Sequence, residues 1–180
     1  TQLARALWAL SQREKATLFI VLLAAFKVLL HRDTGQDDVI VGVPLAGRIR
    51  PETEGLMGLF VNVLPLRTFF PGNPTFRELL AQVRNACLEA YAHQDFPFDK
   101  LVEELRVARD LSRNPIFQVM FQLRNIPGKP LESIGLKLEK FAFDHGISRL
   151  DLAVEMEETA EGLNCSFEYN TDLFDAGTIK

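Results

Sequence analysis

The 180 residues carry 20 Lys and Arg against 24 Asp and Glu, a formal net charge of -4, and 47% of them are hydrophobic. That balance describes a globular chain long enough for one real core. With no basic tract and no acidic tail, it excludes a nucleic-acid binder and a solvating arm.

Leu3, Leu7, Trp8 and Leu10 mark one face of a first helix ending near Ser11 to Lys15. Thr17 can cap a second helix running to about His31, with Leu18, Leu22, Ala25, Phe26 and Leu29 on its buried side. A single bent helix over both segments is the alternative. Leu18 to Leu30 is apolar apart from Lys27, which is too short to span a bilayer and fits a buried helix. Thr34 to Gln36 breaks the pattern, and Val39-Ile-Val-Gly-Val43 then reads as a strand covered on both faces.

Pro44 to Gly55 is a loop rich in Gly, Pro and charge, and residues 58 to 70 form one or two strands. There Phe60, Asn62, Leu64 and Leu66 share one face, and Leu59, Val61, Val63 and Arg67 the other. Asn62 is the polar oddity in an apolar run. Thr75-Phe-Arg-Glu78 is a capping box opening a helix with Phe76, Leu79, Leu80, Val83, Cys87 and Tyr91 at helical spacing. Phe96-Pro97-Phe98 starts a further helix whose apolar side is Leu101, Val102 and Leu105.

Arg109 to Pro115 is an ion-rich turn, and Ile116 to Leu123 alternates as a strand with Phe117, Val119, Phe121 and Leu123 on its apolar face. Asn125 to Gly135 is a loop, Leu136 to Phe143 is strand-like, and Asp144 to Ser148 turns the chain. Leu150 to Glu157 alternates again, Glu158 to Gly162 connects a hairpin, and Leu163, Cys165, Phe167 and Tyr169 return. Asp175 begins a last helix. Cys87 and Cys165 lack metal-ligand spacing and read as free, partly buried thiols in a reducing, cytoplasmic setting. The chain has neither an initiator Met nor a secretory signal, so it is expected to be a piece of a longer polypeptide.

Several of these stretches, in this order, resemble the core motifs of the condensation domains of non-ribosomal peptide synthetases. Met57 to Arg67, MGLFVNVLPLR, resembles the family's fifth motif, and His93 to Phe121 its sixth and seventh. Asp144 to Asp151 and Glu168 to Phe174 resemble the end of that domain. The catalytic signature of the family, two adjacent histidines followed after three residues by Asp-Gly, is missing, because His31, His93 and His145 are isolated. The resemblance therefore implies that residues 1–180 are the C-terminal lobe of a condensation domain, with the catalytic N-terminal lobe absent. It implies an α/β, chloramphenicol acetyltransferase-like sandwich, of which this lobe supplies a mixed β-sheet and flanking helices.

The implied reaction joins a carrier-bound acyl or peptidyl thioester to the amine of a carrier-bound aminoacyl thioester. Both arrive on 4′-phosphopantetheine carried by partner proteins, and no cofactor is expected on the lobe itself. Implied partners are the N-terminal lobe, peptidyl carrier proteins and an adjacent adenylation domain, with no nucleic acid and no membrane. A non-catalytic condensation-like module that recruits a carrier protein or tailoring enzyme is the alternative from another class, and an epimerising relative is the alternative within the family.

Asn62, Gln118 and Ser148 are candidates for the substrate tunnel, with Asn62 also readable as a core amide pairing backbone groups. Arg67 suits a planar fork with a carboxylate, bracing strand to helix. Arg109, Asp110, Ser112, Arg113 and Asp151 are structural or anion-binding candidates, the turn residues favouring a self-bracing turn. His93 fits a helix C-terminus. No residue is assigned a catalytic role or a metal, and no dinucleotide or P-loop glycine fingerprint or serine-hydrolase elbow is present.

Overall fold

The computed structural model describes residues 1–48, 50–108, 110, 112–124, 146–159 and 161–179. Arg109, His145 and the strand expected over Leu136 to Phe143 lie outside the described residues.

Two separate helices open the chain. α1 (Gln2–Arg13) is capped by Thr1, and α2 (Leu18–Thr34) by Thr17, whose hydroxyl accepts from the Ile20 N–H. Lys15 between them takes φ 52, a conformation that turns the corner and rules out one bent helix. α2 ends at Gly35, whose φ of 66 suits the left-handed cap that glycine adopts without cost. The chain then enters β1 (Asp38–Leu45), passes a single turn of helix, α3 (Pro51–Glu54), and returns along β2 (Asn62–Phe69).

α4 (Phe76–Ala92) opens on the expected box: the Thr75 hydroxyl accepts from the Glu78 N–H, and the Glu78 carboxylate from the Thr75 N–H. Thr75→Ala is expected to lower stability by ~1 kcal/mol, read from the urea midpoint. α5 (Phe98–Glu104), β3 (Val119–Arg124), β4 (Leu152–Thr159), β5 (Gly162–Tyr169) and α6 (Ala176–Ile179) complete the order.

The sheet runs β2-β1-β3-β4-β5. β1 is antiparallel to β2 and parallel to β3; β3 is parallel to β4; and β4 turns back into β5 as an antiparallel hairpin with Thr159 opposite Gly162. This is the mixed sheet with flanking helices that the sequence implies. α2 and α4 pack on each other and, with β1 and β2, enclose the core of Leu23, Val41, Leu66, Val83 and Phe121. The Phe121 ring lies 5.5 Å from Phe26 and 5.9 Å from Phe19, both of α2, so β3 docks on that helix through aromatic contacts.

Local boundaries differ from the periodicity. Residues 58–61 are not strand, so the single strand of that run begins at Asn62. The strand expected from Ile116 begins at Val119, because Ile116 takes φ 71 and the Phe117 N–H closes a tight turn onto the Pro115 carbonyl at 2.8 Å. That turn swings the Phe117 ring over Gly42. A Cβ on Gly42 would stand 2.3 Å from the ring. Gly42→Ala is expected to cost about 2 kcal/mol by overpacking, measurable by urea denaturation.

Phe117 is buried outside the main core, on the face of β1 opposite Val39, Val41 and Val43. On that face Ile40 and Pro44 are only half-buried, so β1 is covered fully on one side and partly on the other. In α2, Ala25 and Leu29 are exposed and the most enclosed positions are Leu23, Ala24 and Lys27. Leu3 and Trp8 of α1 and Leu105 after α5 are exposed too. Among the described residues no helix is long and apolar enough to cross a membrane.

Candidate functional site

Asn62 is the first residue of β2, and its carboxamide is fully engaged. Its Nδ2 donates to the Gln94 carbonyl at 2.9 Å and the Phe96 carbonyl at 2.8 Å, while its Oδ1 accepts from the Phe98 N–H at 3.1 Å. The reason lies in α5. Its N-cap is Pro97, which has no side chain able to accept from the helix's first donors, so β2 supplies the cap from another element. One amide thus pins the whole 94–98 turn. Beside this turn a cavity of about 280 Å³ is lined by Val63, Pro65, Ala90, Phe96, Leu101 and His93. His93 is the C-cap of α4, as its position in the sequence suggested.

Gln118 and Ser148 come together elsewhere, at the start of β3 and β4. Gln118 Nε2 donates to the Asn114 carbonyl at 2.9 Å, and the Gln118 carbonyl accepts from the Asp151 N–H at 3.0 Å. Asn114 Nδ2 donates to the Arg149 carbonyl at 2.6 Å, and the Ser148 hydroxyl to the Leu150 carbonyl at 2.6 Å. Segments 114–118 and 148–151 are therefore stitched side by side. Asn62 stands beside Leu45, whereas Met120 of β3 stands beside Gly42, so the two clusters sit at different levels along β1. They are joined by the Phe98–Phe117 ring pair, 5.4 Å between centroids.

The turn residues brace themselves. Asp110 accepts from both the N–H and the hydroxyl of Ser112, at 2.9 and 2.6 Å, which holds its carboxyl below the usual range. The Arg113 N–H donates to the Asp110 carbonyl. Arg67 makes the expected fork, but with Asp38 on the neighbouring strand rather than with a helix: Nε to Oδ1 is 2.8 Å and Nη2 to Oδ2 is 2.7 Å. Asp38 pairs in register with Phe69, two residues on from Arg67, so the fork is a diagonal cross-strand contact. The shared hydrogen bonds lower the Asp38 carboxyl and raise the Arg67 guanidinium.

Two features were not found by sequence reasoning. Arg48 reaches back over its own loop, donating from Nη1 to the Thr53 carbonyl and from Nη2 to the Gly58 carbonyl, with its guanidinium 4.4 Å above the Phe60 ring. The loop so held turns Leu56, Met57, Leu59 and Val61 outward. The signal available was Arg48, one of two arginines in that loop, followed by a lone Phe60. The second is Lys27, fully buried, whose Nζ donates to the Leu66 carbonyl at 2.6 Å and the Thr68 hydroxyl at 2.7 Å. Burial pushes this amine down to about 8 and the nearby Cys87 thiol up to about 11. Its signal was a single charge at helical spacing from Leu23.

Among the described residues no group of three His, Cys, Asp or Glu side chains could hold a metal ion. Asn62, Gln118 and Ser148 are occupied by backbone partners, Arg67 by the Asp38 carboxylate and Asp110 by Ser112, so what they offer chemically is shape and fixed hydrogen bonding around an apolar recess.

The family model described as Condensation domain matches residues 1–180. The chain is 52% identical over 179 residues to one of the linear gramicidin synthase proteins of Brevibacillus parabrevis, a match that spans 98% of this chain and 2% of that protein. A four-domain nonribosomal peptide synthetase, solved with AMP and glycine, superposes with a TM-score of 0.88 at 26% identity, over 98% of this chain and 15% of that one. The X-domain from teicoplanin biosynthesis, solved in complex with OxyB, superposes with a TM-score of 0.81 at 30% identity, over 98% of this chain and 39% of that one.

Proposed function

The chain belongs to the condensation domain family, and from that premise we propose that it is the C-terminal lobe of a non-ribosomal peptide synthetase condensation domain. The observation that carries this reading is the family match along all of residues 1–180, together with an unbroken series of motifs from Met57 to Phe174. The lobe forms one wall of the substrate tunnel and part of the docking surface for the acceptor carrier protein. Its partners are the N-terminal lobe, peptidyl carrier proteins and the adjacent adenylation domain. The reacting thioesters ride on the carriers' 4′-phosphopantetheine, and holding both in one tunnel supplies proximity and orientation.

Asn62, Gln118 and Ser148 belong to the tunnel wall through the turns they fix. Arg67, Asp110, Ser112, Arg113 and Asp151 brace that wall. None of them supplies the base. The alternative, a recruiting module without amide synthesis, is favoured by one observation: a similar X-domain was solved as a complex with OxyB.

The test is amide formation between two loaded carrier proteins, followed by mass spectrometry, for this chain and for the chain extended upstream to a complete domain. Product from the extended protein alone is expected. Turnover by residues 1–180 would overturn the assignment of the base to the other lobe. Carrier binding without product from either protein would favour recruitment.

A further inference from the structure

The corner between α1 and α2 meets α4 in an arrangement that the condensation reading does not use. Glu14, the C-cap of α1, places one oxygen, Oε1, 3.2 Å from Arg13 Nε and 3.0 Å from Arg77 Nε. Both arginines lower the Glu14 carboxyl, Arg77 foremost. One carboxylate oxygen thus answers two guanidiniums. A third, Arg84, lies two helical turns beyond Arg77 on the same side of α4. Its Nη1 reaches only the Lys15 carbonyl, at 3.5 Å, and its Nε is the one buried side-chain nitrogen without a partner among the described residues.

Arg77 and Arg84 share with Glu14 a cavity of about 190 Å³ floored by Leu80 and Ala81. A water claims roughly 30 Å³ of liquid volume, so the space admits a tetrahedral oxyanion with some of its hydration. Two guanidiniums line the cavity against one carboxylate, which leaves one positive charge in excess there, and Arg13 shares that carboxylate from outside. Planar N–H forks match phosphate oxygens edge to edge. A partly buried guanidinium with unmet donors gains most from such an acceptor.

We infer that this cavity is an anion site for a phosphate-type dianion, held by Arg77 and Arg84. The charge count fixes the role of Glu14. It holds the two guanidiniums in place when the cavity is empty and competes with the anion when it fills.

The test uses the full chain, labelled with nitrogen-15, and follows the arginine Nε–Hε signals during titration with inorganic phosphate at constant ionic strength. Chloride serves as the control. Saturable shifts of Arg77 and Arg84 are expected, absent with chloride. Arg84→Gln and the more conservative Arg84→Lys should each weaken binding about tenfold by losing a fork. Glu14→Gln should tighten it, because a competing charge is removed. A second titration with free 4′-phosphopantetheine distinguishes the source: tighter binding than inorganic phosphate points to a phosphate ester, and equal binding to the free anion. Non-saturating shifts, shifts unaltered in both Arg84 variants, or weaker binding in Glu14→Gln would each overturn the site. The dispersion of the backbone spectrum reports whether every variant is folded.

Discussion

Asn62→Ala is expected to lower the stability of the chain by about 3 kcal/mol, the sum of three side-chain to backbone hydrogen bonds at roughly 1 kcal/mol each. Its partners are not interchangeable. Two are carbonyls, of Gln94 and Phe96, and one is the Phe98 N–H at the start of α5. Only an amide presents two donors and an acceptor from one side chain in that arrangement. Asn62→Asp keeps the acceptor for Phe98 but sets a carboxylate oxygen against the two carbonyls, so at neutral pH it should be worse than alanine. A side chain that merely fills space, or one that acts only on substrate, would give the opposite order or no effect on the urea midpoint. In a complete condensation domain the same variants should lose amide formation in parallel with the ordering of residues 94–98, which amide hydrogen exchange reports.

How much of this could be read beforehand depends on whether the cause was local. The Thr17 cap and the Thr75–Glu78 box involve residues three apart, and both were visible. So were the alternation in β4 and the hairpin into β5, because burial of one sheet face imposes a period of two. The buried side of α2 was misassigned in part, with Ala25 and Leu29 exposed, because a helix apolar nearly all round has no contrast between its faces. The late start of the strand expected from Ile116 had no local cause either. A β-branched residue at φ 71 is forced by the seating of Phe117 on Gly42, seventy-five positions back in the chain.

For the candidate site the same distinction holds. A polar side chain in an apolar run marked Asn62 as a residue with partners, since burial demands them, and the planar fork of a guanidinium marked Arg67 as a partner for a carboxylate. Their partners lie 32 to 36 and 29 residues away, so the direction in which each reaches was not legible. Arg67 was expected to brace a helix and instead braces β1. Charge alone placed Lys27 among ordinary lysines, and only packing reveals that it is enclosed.

Lys27 gives the second large effect, a stability that rises with pH where most surfaces would leave it flat. In the unfolded chain the amine titrates near its ordinary 10.5, and in the folded chain at about 8. Between those values the unfolded state binds the proton that the folded state has shed, so stability increases with pH. The interval is worth about 3 kcal/mol in all, of which about 1 kcal/mol falls between pH 8 and 9. Cys87 acts with the opposite sign. Its thiol is raised from 9.0 to about 11, so the folded state keeps a proton the unfolded state loses, and stability falls across that range. Tyr91, raised from 10.0 to about 12, adds a further fall at higher pH. The urea midpoint of the unmodified chain should therefore climb from pH 8 to 9, level off as the thiol opposes the amine, and decline beyond 10. Lys27→Met should abolish the climb, and Cys87→Ala should extend it to about pH 10. A climb that survives in Lys27→Met would place its origin in another group. The absence of a climb in Cys87→Ala would mean that the amine keeps its ordinary proton affinity within the core, held there by the Leu66 carbonyl and the Thr68 hydroxyl.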